Sequence, residues 1–126
     1  MSETNSLKNI ATSFLKLLVV GAVDEAYANY VDNAFIHHNQ HHKGDRESLK
    51  LGMQQAALKF TDMQLEVKSV LQEGDRVTTY SHIQSNLNNM DVAVFHMFKF
   101  KNDKIIELWD VGQQIIKDSP NENGFF

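Results

Sequence analysis

Residues 61–76, TDMQLEVKSVLQEGDR, decide the fold class of this chain. From Met63 to Leu71, mostly apolar residues alternate with polar ones, and this period of two is typical of a β-strand with one buried face. Gly74-Asp75 provides a turn, so a second strand is predicted to begin at Arg76. Upstream of Thr61 the apolar residues recur every three or four positions instead. The segment therefore separates a helical half of the chain from a β-rich half.

Three helices are predicted upstream of this boundary. Asn5 or Ser6 is the expected N-cap of the first helix, and Asp24 is that of the second. Gly44-Asp45 is predicted to open the third. The residues expected on the buried faces are Leu7, Ile10, Ala11, Phe14, Leu17 and Leu18; Val23, Ala26, Tyr27 and Tyr30; and Leu49, Met53, Ala56 and Phe60.

The other segments are predicted to be extended. Residues 34–38 lie between the second and third helices, and strands follow at residues 63–71, 76–87, 90–101 and 104–115. Asn102-Asp103 forms the tight hairpin turn between the last two strands. Helices that precede a run of antiparallel strands indicate an α+β fold with the helices packed on one face of the sheet. The length of 126 residues fits a single domain, residues 1–126.

Composition and the absence of known motifs exclude several functional classes. The net charge is −4 and the basic residues are dispersed, so neither nucleic acid nor a membrane surface is an expected partner. Glu3, Thr12 and Lys16 make the N-terminus a poor secretory signal, and the lack of cysteine is compatible with a cytoplasmic location. No Gly-rich phosphate loop, Gly-x-Ser-x-Gly elbow or His-Glu-x-x-His helix is present. We therefore predict no cofactor and no metal.

Side-chain parity along the last two strands predicts which residues face the helices. Lys99, Lys101 and Glu107 mark the outward face. The inward face then carries Val94, His96, Phe98 and Phe100 from one strand and Ile106, Leu108, Asp110 and Gly112 from the other. The outward face still holds Phe95, Met97, Trp109 and Val111. Such an apolar patch predicts a homodimer through the outer sheet face, with coverage by the C-terminal tail as the alternative.

Asp110 and His96 are the candidate chemical groups of the inward face. An unpaired buried carboxylate costs several kcal/mol, so Asp110 is either a general acid/base or a structural group bonded to a tyrosine or to backbone amides. A lone histidine among apolar residues is more often a core residue than a catalyst, but an aspartate on the next strand could fix its tautomer. His82 is a further candidate, either in the pocket or half exposed. Either Tyr80 and His82 face the interior, or the alternate residues Val77, Thr79, Ser81 and Ile83 do.

Histidines are concentrated in the stretch IHHNQHH, residues 36–42. Their i,i+4 spacing would chelate a metal only on a helix, whereas Asn39, Gln40 and Gly44 indicate the end of a strand and a loop. Neighbouring residues of a strand point to opposite faces. If Ile36 points inward, His38 does so too, and the other three histidines are expected at the rim of the pocket or in solvent.

Two segments resemble those of SnoaL-like proteins, polyketide cyclases of the nuclear transport factor 2-like superfamily. FIHHNQHHKGDRESLKLGMQQ, residues 35–55, is similar to the strand, loop and helix around the pocket of that family. IIELWDVGQQI, residues 105–115, is similar to its last strand, and NENGFF, residues 121–126, resembles the ending of a bacterial subgroup named as predicted aldol-condensation enzymes. The resemblance implies a cone-shaped α+β barrel of the cystatin-like type. In it, three helices lie in the concavity of a strongly curved, mainly antiparallel sheet.

The resemblance also implies a function. It places Asp110 at the position of the acid/base aspartate, His38 and Asn39 at a pocket His-Asn pair, and His96 and His82 on strands that line the same cavity. We expect a cofactor-independent cyclase or isomerase acting on a small apolar molecule with carbonyl groups; the alternative is a non-catalytic module for ligand binding or dimerisation. The predicted catalytic residues are Asp110, His96 and His38, and the predicted substrate-binding residues are Asn39, Tyr80, His82, Phe98 and Trp109.

Overall fold

The helices and strands follow one another in the order α1–α2–β1–α3–β2–β3–β4–β5 in a computed structural model that describes residues 6–126. Two residues used in the sequence predictions lie outside the described residues. They are Asn5, one of the two N-cap candidates, and Glu3, which counted against a secretory signal. The bounds are α1 Leu7–Val19, α2 Val23–Tyr30, β1 Val31–His37, α3 Arg46–Lys59, β2 Gln64–Glu73, β3 Arg76–Ser85, β4 Met90–Lys101 and β5 Lys104–Gln114. In the described part of the chain, no helix is long and apolar enough to cross a bilayer.

Two of the three helix starts agree with the sequence prediction. The Ser6 hydroxyl accepts the backbone N–H of Asn9, and Asp45 accepts that of Ser48, so both residues cap helices as expected. The prediction for Asp24 is wrong, because the N-cap of α2 is Ala22, which makes no side-chain capping bond. Asp24 lies within the first turn of α2 and accepts a hydrogen bond from Gln54 of α3.

The sheet is mixed and has the order β1-β5-β4-β3-β2. Strands β2 to β5 are an antiparallel meander, as the sequence predicted, while β1 runs parallel to β5 at the edge. The helices and the inner face of the sheet share one apolar core. The predicted α+β fold, with helices over a curled and mainly antiparallel sheet, is confirmed.

One irregularity in β5 matters for the site. Phe100 pairs with Ile105 and Lys99 pairs with Glu107, so Ile106 is an extra residue with no partner across the strand pair. The prediction that Ile106 faces the core is therefore wrong, and Ile105, which is fully buried, takes that place. Beyond the bulge the parity is restored, and Leu108 and Asp110 face inward as predicted.

The parity predicted for β1 is also wrong. Phe35 and His37 are the buried residues of this strand, while Ile36 is 48% exposed. Phe35 fills a space beside the Tyr27 ring, and this larger apolar residue sets the inward face. Because Ile36 points outward, His38 shares the outward parity and not the inward one.

Candidate functional site

A cavity of about 790 Å³ opens between α3, the loop after β1 and the inner face of the sheet. Its helical wall is formed by Met53, Ala56 and Phe60, three of the residues predicted on the buried side of the third helix. The sheet wall is apolar except at His96, Asp110 and Gln114. The inner-face residues of that wall are Ile83, Met90, Val92, Val94, His96, Asp110, Gly112 and Gln114. A cavity of this size and character suits a small, mainly apolar molecule.

His96 and Asp110 lie directly opposite each other on β4 and β5. Both line the cavity, so the expectation that they face inward together is confirmed. His96 is buried and its Nδ1 has no hydrogen-bond partner among the described residues. Asp110 is half buried. No hydrogen bond joins the two side chains, so the pair retains hydrogen-bonding capacity that a bound molecule can use.

Burial controls the charge of His96. Removal from solvent lowers the pKa of this imidazole, and the negative charge of Asp110 opposes the shift only in part. The ring is therefore neutral at pH 7. A neutral imidazole carries one N–H that can donate a hydrogen bond to a carbonyl oxygen in the cavity.

The partner of Asp110 is Asn39, in the loop after β1. Its Nδ2 donates a hydrogen bond to Asp110 Oδ2 at 3.1 Å, while its Oδ1 accepts the backbone N–H of His41 at 2.8 Å. Because a backbone N–H can only donate, the second bond fixes which end of the amide faces the aspartate. Asp110 is thus held by a side-chain amide, rather than by the tyrosine or backbone amides considered from the sequence.

The predicted role of His38 inside the pocket does not match the position of its ring. The residue borders the cavity, but its imidazole stacks on Trp109 with a centroid distance of 4.9 Å. Its Nε2 lies 2.7 Å from Glu107 Oε2, which is also on the outer face of β5. The ring therefore packs on the outer face of the sheet, away from the cavity interior.

The other three histidines of the stretch lie in three different surroundings. His37 was expected at the rim or in solvent, but it is 5% exposed and belongs to the core side of β1. His41 is exposed at the mouth of the cavity. The His42 ring covers Gly52 of α3 so closely that a Cβ added at Gly52 would overlap a ring carbon. The cluster is dense in sequence and dispersed in space.

Four predicted substrate-binding residues lie outside the cavity. Tyr80 and His82 are on the outer face of β3, where Phe126 packs against both rings. Phe98 is fully buried in the core between Phe14 and its strand neighbours. Trp109 is on the outer face, between the His38 ring and the Arg76 guanidinium. Alternation along the strands places Tyr80, His82 and Trp109 on the face opposite to the cavity. Phe98 shares the inner face with His96, but it packs into the core under α1 and does not reach the cavity.

The C-terminal tail covers part of the outer patch. Tyr80 donates a hydrogen bond to the carbonyl oxygen of Phe125 at 2.7 Å, and the Lys68 ammonium lies over the Phe126 ring. Phe95 stacks on Tyr80 yet is 50% exposed, and Val111 is 73% exposed. Tail coverage, the alternative considered from the sequence, is therefore present but incomplete.

Sequence reasoning missed two groups of polar residues on the inner side. His37 is one, since nothing in its sequence context distinguished it from its neighbours. The others are Thr79 and Ser81, which are fully buried beside His96 and Val94 and whose hydroxyls have no partner among residues 6–126. The alternation of Val77, Thr79, Ser81 and Ile83 was the available signal for that face.

The family of the chain follows from its sequence and its fold together. The model of the SnoaL-like polyketide cyclase family matches residues 12–115, which include every residue of the site described above. This chain belongs to the SnoaL-like polyketide cyclase family. A search among curated protein sequences finds no match.

Solved structures with the SnoaL-like fold support the architecture. A candidate polyketide cyclase from Bacillus cereus ATCC 10987 is 22% identical with a TM-score of 0.75, covering 85% of this chain and 74% of that one. IdmH, a candidate polyketide cyclase from Streptomyces antibioticus, is 18% identical with a TM-score of 0.73, covering 86% and 92%. An NTF2-like protein of unknown function from Cytophaga hutchinsonii ATCC 33406 is 16% identical with a TM-score of 0.71, covering 90% and 95%. At these sequence identities, the structural similarity to the three proteins establishes the fold alone.

Proposed function

We propose that this SnoaL-like protein is a cyclase or isomerase that needs no cofactor and acts by removing a proton next to a carbonyl group. The observation that carries the proposal is the His96–Asp110 pair, which lies in register in the wall of an otherwise apolar cavity. A carboxylate and a neutral imidazole side by side supply a base and a hydrogen-bond donor, the two groups that enolate formation requires.

In the proposed reaction, Asp110 takes the proton from the carbon next to a carbonyl. The electron pair of the broken C–H bond forms an enolate, and His96 donates a hydrogen bond to its oxygen. In an aldol-type cyclisation the enolate carbon then bonds to a second carbonyl carbon of the same molecule. The proton on Asp110 passes to the new alkoxide oxygen, and the carboxylate is restored. In an isomerisation the proton returns to a different carbon instead.

The substrate class follows from the lining of the cavity. Met53, Phe60 and Val94 offer apolar contacts, while the polar groups are concentrated around Asp110. We infer a small apolar molecule with one or two carbonyl groups, one of which lies against His96. Asn39 holds Asp110 from the loop side, so that the carboxylate keeps one orientation toward the bound molecule.

The second candidate function is that of a non-catalytic binding module. The absence of a hydrogen bond between His96 and Asp110 favours it, since the two groups would then only orient a carbonyl-containing ligand. Both functions predict binding, so thermal-shift screening does not separate them. Exchange of ligand hydrogen for deuterium does.

The test is hydrogen–deuterium exchange at the carbon next to the carbonyl, followed by NMR in D₂O. The probes are apolar ketones and enones that bind the protein and exchange slowly alone. We expect the wild type to accelerate exchange and Asp110→Asn to lose at least about 100-fold of that acceleration, the usual contribution of a general base. Asp91→Asn, which alters an aspartate outside the cavity, is the matched control and should exchange at the wild-type rate.

Two outcomes contradict the proposal. If Asp110→Asn exchanges the probe as fast as the wild type, the base is another group. If the wild type binds the probes and accelerates no exchange, the binding module is the better description.

A further inference from the structure

We propose that His37 is a positioning residue, which holds Asn39 against Asp110 by binding both ends of the loop between β1 and α3. Nothing in the chemistry outlined above uses His37. It is buried, it lies one residue before the bordering His38, and both of its ring nitrogens are engaged by backbone groups.

The hydrogen bonds of His37 define a single tautomer. The backbone N–H of Asn39 donates to Nδ1 at 3.1 Å, so Nδ1 carries a lone pair. Nε2 faces the carbonyl oxygen of Lys43, which only accepts, so Nε2 carries the proton. The neutral ring therefore bridges the start of the loop to its end, and no other protonation state makes both bonds.

Backbone bonds on either side extend this bridge. The His37 N–H donates to the Gly44 carbonyl oxygen at 3.2 Å, and the His38 N–H donates to that of Leu108 at 2.9 Å. The loop is thus fixed to its own far end and to β5. Asn39 is the first residue after these two backbone hydrogen bonds.

From Asn39 the constraint reaches Asp110 through one side chain. The backbone N–H of Asn39 is bound to His37, its Oδ1 is bound to the His41 N–H, and only its Nδ2 remains to reach Asp110 Oδ2. An imidazole that does not touch the cavity therefore sets the direction from which a cavity carboxylate is held. This is an indirect role, since His37 itself contacts neither the cavity nor Asp110.

Two substitutions at His37, the split variants, each keep one of its two side-chain hydrogen bonds and remove the other. The δ oxygen of an asparagine lies near the position of Nδ1, so His37→Asn keeps an acceptor for the Asn39 N–H and loses the bond to Lys43. The ε amide of a glutamine lies near Nε2, so His37→Gln keeps a donor for Lys43 and loses the acceptor. His37→Phe fills the space and makes neither bond. Val31→Ala, at a buried position of the same strand, is the control for a general loss of stability.

The first measurement is amide hydrogen exchange and side-chain NMR of the whole protein without any ligand. We expect the Asn39 backbone N–H to exchange about tenfold faster in His37→Gln and in His37→Phe, the effect of losing one hydrogen bond. The Asn39 side-chain amide signals should move in the same two variants. His37→Asn should stay near the wild type, and Val31→Ala should change neither Asn39 signal.

Wild-type Asn39 signals in His37→Gln overturn the proposal, as does an equal change in Val31→Ala. If His37→Phe does not fold, the contrast between His37→Asn and His37→Gln decides alone.

The consequence for turnover rests on the proposed function and is measured separately. Where the wild type accelerates exchange of a probe, His37→Gln should lower kcat with little change in KM, while His37→Asn retains most of kcat. A wild type without turnover removes the proposed function and leaves the Asn39 measurement as the test of His37. Equal kcat in the two split variants would limit His37 to loop structure.

Discussion

The two faces of the sheet each carry an aspartate–histidine pair, and the two pairs differ in how far their bonding is complete. On the outer face, His82 Nε2 lies 2.6 Å from Asp91 Oδ1, and the Gln84 amide and the Phe126 ring surround the imidazole. On the inner face, His96 and Asp110 are opposite each other without a mutual hydrogen bond. The side chains of the first pair bond to each other, whereas those of the second pair face a cavity.

Residue types alone therefore do not identify a reactive site. Both pairs offer the same functional groups on adjacent strands. Only the inner pair is placed in an apolar wall beside about 790 Å³ of space, where burial lowers the pKa of His96.

The largest effect is expected on the outer face, where the sequence predicts contact with a second copy of the chain. Phe95 is half exposed there beside Val111. Phe95→Glu would place a charge in the middle of that contact, and we expect the dimer dissociation constant to rise about 100-fold, since an unpaired buried charge costs several kcal/mol. Sedimentation equilibrium measures this constant.

Leu58→Glu is the matched control for the outer face. Leu58 is 82% exposed on α3 and lies outside the sheet, so the same change there should leave association unaltered. A wild type that stays monomeric at tens of micromolar contradicts the dimer. The tail over Tyr80 would then be the cover of this face.

The strand register illustrates how much of the site the sequence could predict. Lys99, Lys101 and Glu107 marked the outward face and so correctly placed His96 and Asp110 together on the inner one, and Asn102-Asp103 was correctly predicted as the turn. The turn has the positive φ angles, 52° and 62°, of a tight hairpin. Parity could not reveal the bulge at Ile106, because a bulge depends on how packing on both sides of β5 is satisfied. Without that extra residue, continuous pairing from the turn would set Trp109 opposite His96.

The loop after β1 illustrates what the sequence could not decide. Ile36 and Phe35 are both apolar, and which of them faces the core depends on the space beside Tyr27, which only the assembled fold defines. The wrong choice exchanged the positions of His37 and His38. Asn39 was predicted as a binding residue through the family resemblance, but its bond to Asp110 links residues 71 positions apart and has no local signal.

The next effect concerns pH and the buried histidine of the inner pair. Burial lowers the pKa of His96 in the folded protein below the 6.5 of an unperturbed histidine. As the pH falls through 6.5, the unfolded chain takes up this proton first, so the free energy of unfolding decreases until the pH reaches the folded pKa. One group of this kind contributes a slope of at most about 1.4 kcal/mol per pH unit.

Denaturant unfolding between pH 7 and pH 5 measures that slope. The contribution of His96 to this pH dependence of the free energy of unfolding should be absent in His96→Gln and present in His82→Gln. An identical pH dependence of the wild type and His96→Gln would show that the inner histidine is solvated, and the contrast between the two pairs would then fail.

The smallest effect is expected for the outer pair, in which His82 and Asp91 bond to each other. The side chain of Asp91 is 43% exposed, so water screens its interaction with His82 and little stability depends on it. We expect Asp91→Asn to lower the free energy of unfolding by about 0.5 kcal/mol, the usual size for exposed pairs, because the asparagine oxygen still accepts a hydrogen bond from His82. Urea denaturation at pH 7 measures the change. A loss of several kcal/mol would mean that the outer pair is a structural centre of the sheet, and Asp91→Asn would then no longer serve as a neutral control for Asp110→Asn.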